Sequence, residues 1–188
     1  PVYKVTEVIV FFIPNHRKKE IDNSVKIMTS DKVNNWLKYN FIDESEAEKF
    51  LKFLNSECIG YYIEVENELA AWGFVQINGN YQYEKYEYKL PCRVHMLKNL
   101  FVKSKFRGMS FGKLINEARI NGMPDSYIPC VFVIPENKYA IRNLKKYGFQ
   151  EIYMISHTCW FKKYTKTRFE ILQNNKLNDI LIKGFNTL

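Results

Sequence analysis

Apolar residues recur along this chain with a period of two in some stretches and at helical spacing in others, and the changes between them delimit its elements. YKVTEVIVFFI (3–13) is β-branched and aromatic and predicts a strand that stops at Pro14. The polar run 14–24 reads as loop. Ser30-Asp31 opens a helix over KVNNWLKYNF, where Val33, Trp36, Leu37 and Tyr39 keep a roughly helical spacing. DESEAEKFLKFLN (43–55) is the cleaner helix: acids fill its first turn, and Ala47, Phe50, Leu51 and Leu54 share one face. CIGYYIEVEN and ELAAWGFVQI predict two strands joined as a hairpin at about Glu66–Glu68. YQYEKYEYKL (81–90) alternates tyrosine with charge. That pattern fits a solvated edge strand or a long loop, or else a platform on which flat rings stack.

In the second half, VHMLKNLFV (94–102) predicts a strand and FGKLINEARI (111–120) the helix after it. SYIPCVFVI (126–134) is a strongly apolar strand interrupted by Pro129. ENKYAIRNLKKYGF (136–149) reads as a helix stopped by Gly148, and FQEIYMIS and HTCWFKKY as two further strands. The tail from Thr165 to Leu188 carries Phe169, Ile171, Leu172, Ile180, Leu181 and Ile182, and suits a packed helix or a partner-binding extension. The order predicts one α/β (α+β) domain over residues 1–164. Its mixed sheet of about six to seven strands is flanked by helices, and 165–188 follow as an extension.

Composition narrows this little further. A chain of 188 residues that is 46% hydrophobic, with 14 Phe and 13 Tyr, has enough apolar surface to fold as one domain. Its net charge of +8 favours anionic partners. The lysines and arginines are dispersed rather than gathered in a block, which argues against nucleic acid. Cysteines 58, 92, 130 and 159 and histidines 16, 95 and 157 are too scattered for a zinc site, so no metal is expected and the thiols are expected to be reduced and mostly buried. The longest early apolar run, Val8 to Ile13, is too short to cross a bilayer or to form a signal core; the expected location is the cytoplasm, without membrane attachment.

KFRGMSFGKL (105–114) carries the chemistry. A P-loop needs four residues between its glycines and Ser or Thr after its lysine; here three separate Gly108 from Gly112, and Leu114 follows Lys113. The dinucleotide fingerprint needs three glycines after a first strand, and only two are present, in mid-chain. Two readings stay open. One is a turn feeding a helix whose unpaired first amides bind a pyrophosphate without metal, in the field of Lys103, Lys105, Arg107 and Lys113. The other is a glycine-containing connection and nothing more.

Together with VFVIPENKYAIRNLKKYGF further on, this segment resembles the two signatures of the GCN5-related N-acetyltransferase (GNAT) superfamily. The family's turn reads Arg/Gln-x-x-Gly-x-Gly/Ala after an apolar strand ending in valine. LFVKSKFRGMSFG supplies Arg107, Gly108 and Gly112, with Ser110 where glycine is usual. The second signature is an asparagine after a strand, a helix, then Gly-Phe, matched by Asn137, Ala140 and Gly148-Phe149. The resemblance spans roughly residues 60–160. It implies a splayed strand pair, HMLKNLFV beside CVFVI, with Pro129 where pairing loosens. It also implies acetyl-CoA as co-substrate, its pantetheine along Leu100, Phe101 and Val102 and its pyrophosphate on Arg107, Gly108, Met109, Ser110, Phe111, Gly112 and Lys113, with Asn137 reaching the arm.

The implied reaction is direct attack of an amine on the thioester in a ternary complex, with a backbone N–H near Phe101 or Val102 polarising the carbonyl. The acceptor would be a small molecule such as an amino sugar, or a protein amine, and the chain a monomer or homodimer. The family's usual acid, a tyrosine seven residues after the asparagine, falls on Leu144. Tyr147, nearly one turn later, is either a core tyrosine or a displaced acid. His95 is the candidate base, on a strand face shared with Leu97, Asn99 and Phe101; His157, Trp36, Tyr39, Asp43 and Glu44 are weaker candidates. The missing acid keeps a catalytically silent acyl-CoA-binding or interaction module as the alternative.

Overall fold

In the computed structural model, which describes residues 3–13, 18–77, 80–83, 86–89, 91, 93–124, 126–160 and 164–173, the first strand lies inside the main sheet rather than at its rim. The chain runs β1 (Tyr3–Phe12), β2 (Lys26–Ile27), α1 (Ser30–Lys38), α2 (Glu44–Leu54), β3 (Cys58–Val65), β4 (Glu68–Gln76) and the short strands β5 (Asn80–Tyr83) and β6 (Tyr86–Lys89). It continues as β7 (Val94–Val102), a 3-10 turn at Ser104–Phe106, α3 (Phe111–Asn121), β8 (Ile128–Val133), α4 (Lys138–Lys146), β9 (Gln150–Trp160) and β10 (Tyr164–Ile171). The sheet order is β10-β9-β1-β8-β7-β4-β3-β2, antiparallel throughout except between β7 and β8.

A strand with neighbours on both sides and layers on both faces must be apolar at consecutive positions. β1 meets this: Val8, Val10 and Phe12 fill one core and Phe11 the other. On one face α3 and α4 bury Ile115, Ala118, Leu144 and Phe149 against Phe11, Val75 and Leu97. On the other, α1 and α2 set Trp36 and Phe50 against Tyr62, Trp72 and Phe74. The β5–β6 ribbon covers the rest of that face, where Tyr88 packs with Val8, Val10, Met96, Phe132 and Ile155. Three helices are closed at their N-termini by side chains: Thr29 caps α1, Asp43 caps α2 and Asn137 caps α4.

Four expectations change. Segment 81–90 contributes to a separate two-stranded ribbon, not an edge strand or loop, and its alternation arises because Tyr88 is fully buried beneath it. FQEIYMIS and HTCWFKKY are not two strands: Gln150 to Trp160 is one. Thr165 to Ile171, expected to be helix or extension, is sheet; its Thr165, Thr167, Phe169 and Ile171 keep the period of a strand. With β2 and β10 added, the sheet has eight strands among the described residues rather than six to seven. The remainder of the tail, 174–188, lies outside the described residues. Cys58 and Cys130 are buried thiols in no disulfide. Among the described residues no helix is long and apolar enough to cross a membrane.

One polar cluster ties α1 to the sheet. The Glu64 side chain on β3 is 7% exposed; it accepts from Trp36 Nε1 at 3.1 Å and pairs with Lys32 at 2.6 Å and Lys26 at 3.7 Å. Burial pushes the Glu64 pKa up, but hydrogen bonds from Lys32 and Trp36 and the charges of both lysines outweigh it, and the net shift is downward from 4.5. A carboxyl held below its unfolded value stabilises the fold above that value and loses this contribution as pH falls through the folded one. Glu64→Gln should therefore melt below wild type at neutral pH, with the gap closing under acid below about 4.5. A gap in melting temperature that stays constant with pH would contradict the cluster's role.

Candidate functional site

The site begins with a register shift. β4 and β7 pair Phe74 with Lys98 but Trp72 with Phe101, so Asn99 and Leu100 together oppose Gly73. This is a β-bulge, and Asn99 within it has a positive φ of 52°, the left-handed conformation of a G1-type bulge. The bulge reverses the strand's parity. Leu97 packs in the α3–α4 core, whereas Phe101 stacks on Trp72 over the opposite face, ring centroids 4.7 Å apart. His95 and Phe101 thus do not share a face, contrary to the sequence expectation. Lys103 N–H donates to the Ala70 carbonyl at 3.0 Å. Antiparallel alternation then puts the Phe101 amide on the β4 side and turns the Val102 amide away from β4.

It turns toward a gap. β7 and β8 pair only at Val94–Ile128, His95–Pro129 and Met96–Cys130, and beyond Met96 they part. The splayed pair is where the resemblance implied it, but Pro129 sits inside the paired part, opposite His95; its missing N–H is not what opens the strands.

Past Val102 the chain makes the 3-10 turn, and Gly108 follows with a φ of 89°, a conformation natural to glycine. Ser110, in left-handed conformation at φ 62°, precedes α3 and makes no side-chain cap. Arg107 and Met109 spend their amides on Ser104 and Phe106, at 3.2 and 3.4 Å. Those of Gly108, Ser110, Phe111 and Gly112 find no backbone acceptor among the described residues. So α3 alone among the four α-helices of the described residues presents an uncapped N-terminus. Gly112 lets it approach β7, since a Cβ there would lie 3.3 Å from Val102 Cγ2.

These amides open into a cavity of about 800 Å³, within the ~300–1,000 Å³ usual for small-molecule sites. Leu100, Phe101 and Val102 form one wall; Arg107, Gly108, Ser110, Phe111, Gly112 and Lys113 line the end. Asn116 of α3 and Tyr139, Asn143, Lys146 and Tyr147 of α4 complete it. Among the described residues three cations and no carboxylate line it, an arrangement for an anion. Under Asn116 lies Arg119, 4% exposed, made possible by Gly73: a Cβ there would stand 2.9 Å from Arg119 Cδ and from Ile115 Cγ2. Burial pushes the Arg119 pKa down to about 9, which leaves it charged at neutral pH.

Most residues expected to hold the cofactor converge here. Met109 does not line the cavity and is 56% exposed, while Asn137 uses its side-chain oxygen to cap α4, accepting from Ala140 N–H at 3.0 Å. Among the catalytic candidates only Tyr147 lines the cavity. His95 is fully buried, its ring 6.2 Å from that of Tyr127, and cannot receive a proton from an acceptor in this cavity. His157, mid-strand on β9, is buried between Tyr88 and Thr167; Trp36 is core, Asp43 caps α2, and Tyr39 and Glu44 are exposed on the helical side. Asn116, Asn143, Tyr139 and Lys146 escaped sequence reasoning. Their signal was helical spacing: Asn116 is one turn beyond Gly112, and Tyr139, Asn143 and Tyr147 follow one another at i, i+4.

A mixed sheet with one splayed parallel pair, and an uncapped helix N-terminus following the bulged strand, defines a class of α/β domain. The fold is that of the GNAT superfamily. A GNAT-family protein from Novosphingobium aromaticivorans DSM 12444 superposes with a TM-score of 0.61 at 13% identity over 92% of this chain. A conserved protein of unknown function from Staphylococcus epidermidis ATCC 12228 gives 0.51 at 12% over 83%, and a Drosophila protein 0.52 at 13% over 87%. The chain spans 69%, 62% and 54% of their respective lengths. No protein-family model and no curated protein matches the sequence.

Proposed function

We infer that this chain moves an acetyl group from acetyl-CoA to an amine. The observation that carries the reading is the set of amides at Gly108, Ser110, Phe111 and Gly112 that find no backbone acceptor among the described residues, opening beside Arg107, Lys113 and Lys146 into a cavity that no described carboxylate lines. Backbone N–H groups at a helix start bind a diphosphate with no metal. The exposed edge of β7 at Leu100–Val102 offers main-chain partners to the amide-bearing arm of the cofactor, and Val102 N–H is the donor turned to the gap where a thioester carbonyl would lie. The acceptor nitrogen then attacks the carbonyl carbon directly, helped mainly by being held in place.

The acceptor is an amine, a small molecule such as an amino sugar or a protein amine. A second reading, an acyl-CoA-binding module without turnover, draws on Leu144: the usual acid position is a core leucine, 7% exposed. Calorimetry with coenzyme A, paired with thiol release from acetyl-CoA over a panel of amines, separates the outcomes. Binding with release supports the transferase, binding without release the module, and no binding removes both.

A further inference from the structure

Arg119 on α3 is 4% exposed, and its guanidinium meets a backbone carbonyl and a side-chain amide rather than a carboxylate. Nη1 donates to the Lys98 carbonyl at 3.1 Å, Nη2 donates to Asn116 Oδ1, and Nε has no acceptor among the described residues. Burying a cation in this way costs stability that a methionine at the same place would not. What the guanidinium holds is one peptide. The Lys98 carbonyl belongs to the planar unit whose nitrogen is that of Asn99, so holding its direction constrains the φ of Asn99. That φ is 52°, in the left-handed region that a side chain makes unfavourable unless its surroundings impose it. The guanidinium also lies over the bulge itself. A Cβ on Gly73, the residue that Asn99 and Leu100 oppose, would stand 3.1 Å from Arg119 Nε.

We propose that Arg119 is a positioning residue: by holding the Lys98 carbonyl it keeps the bulge in β7, and the bulge keeps the Val102 N–H turned to the gap. This rests on the acetyl-transfer reading above, in which that N–H polarises the thioester carbonyl. Two residues, Asn99 and Leu100, stand against Gly73 alone. If the strand relaxed to one residue against one, every amide beyond the bulge would change sides. Val102 would then come opposite Ala70, its N–H would point at β4, and the gap would lose its donor. Arg119 does not line the cavity and touches neither the cofactor nor the acceptor; it acts along β7, from Lys98 to Val102. Asn116, which does line the cavity, fixes the other arm of the guanidinium from the preceding turn of α3.

The test reads the carbonyl itself and needs no acceptor. Acetyl-CoA with an isotopically labelled thioester carbonyl is bound to the protein, and its infrared stretch is compared with that of the free cofactor. In wild type the band should lie below the free value, as it does for a carbonyl that accepts an N–H bond. Arg119→Met keeps the stem and loses every donor, and over half of the downshift should go with them. Arg119→Lys keeps a cation but loses the fork; its loss should be smaller and still measurable, and it decides the matter alone where the methionine variant does not fold. A residue that only packs would lower the melting temperature and leave the band of the bound thioester where it was. If wild type binds acetyl-CoA and the downshift is equal in wild type and variants, or absent from wild type, the positioning role is overturned while the binding of the cofactor stands. If wild type does not bind acetyl-CoA, both readings fall.

Discussion

An aspartate at position 108 is expected to lower affinity for coenzyme A at least about 100-fold, while asparagine there costs less than about tenfold. Gly108 lines the cavity with a φ of 89°, and a Cβ built on it meets no atom within 4 Å, so either side chain finds room. Asp and Asn are the residues that best tolerate positive φ, and each adds a comparable modest strain. They differ in charge alone. A carboxylate a few ångströms from a diphosphate sets like charges against each other where about 1–4 kcal/mol per pair is expected near a protein surface, and a diphosphate carries more than one charge. About 2.7 kcal/mol corresponds to 100-fold. Calorimetry on the two variants reads the difference directly; equal affinities would mean that no anion sits on these amides.

Truncating Phe50 should cost more than any other single change considered for stability. Phe50 on α2 is 1% exposed and meets Trp72 edge-on at 5.4 Å and Phe74 at 5.5 Å between ring centroids. Phe→Ala at such a site loses transfer free energy and leaves a cavity, about 3–5 kcal/mol together. For a domain of this size that lowers the melting temperature by roughly 10 °C. The effect reaches the site through Trp72, on which Phe101 stacks at the cavity wall. Phe50→Leu, which fills more of the space, should recover over half of the loss. A melting temperature unchanged in Phe50→Ala would mean that α2 is not packed on the sheet as described.

The elements were legible where period and punctuation agreed. β7 and α3 start and stop close to the apolar runs that announce them, and α2 begins after the aspartate that caps it. The turn before α3 was legible for a similar reason, since the left-handed conformation of Gly108 is a local requirement of the backbone. The failures share a cause. Placing His95 with Phe101 assumed an unbroken alternation along β7, and a bulge opposite Gly73 breaks it. The tyrosines of 81–90 looked solvated because nothing local says that Tyr88 will be covered on both sides. β10 was passed over although its alternation is plain, because an edge strand is recognised by the partner it joins.

Sequence periodicity alone settled the mixed α/β order, and Gly108 marked a turn that needs a left-handed backbone; the gap between β7 and β8 was only what the resemblance implied. Tertiary structure settled which side chains meet there. Asn116 on α3 and Tyr147 on α4 line one cavity, and Arg119, bonded to Asn116, reaches the Lys98 carbonyl on β7, a convergence of three segments distant in the chain. Such contacts depend on how helices pack over a bulged strand, and no local pattern encodes that.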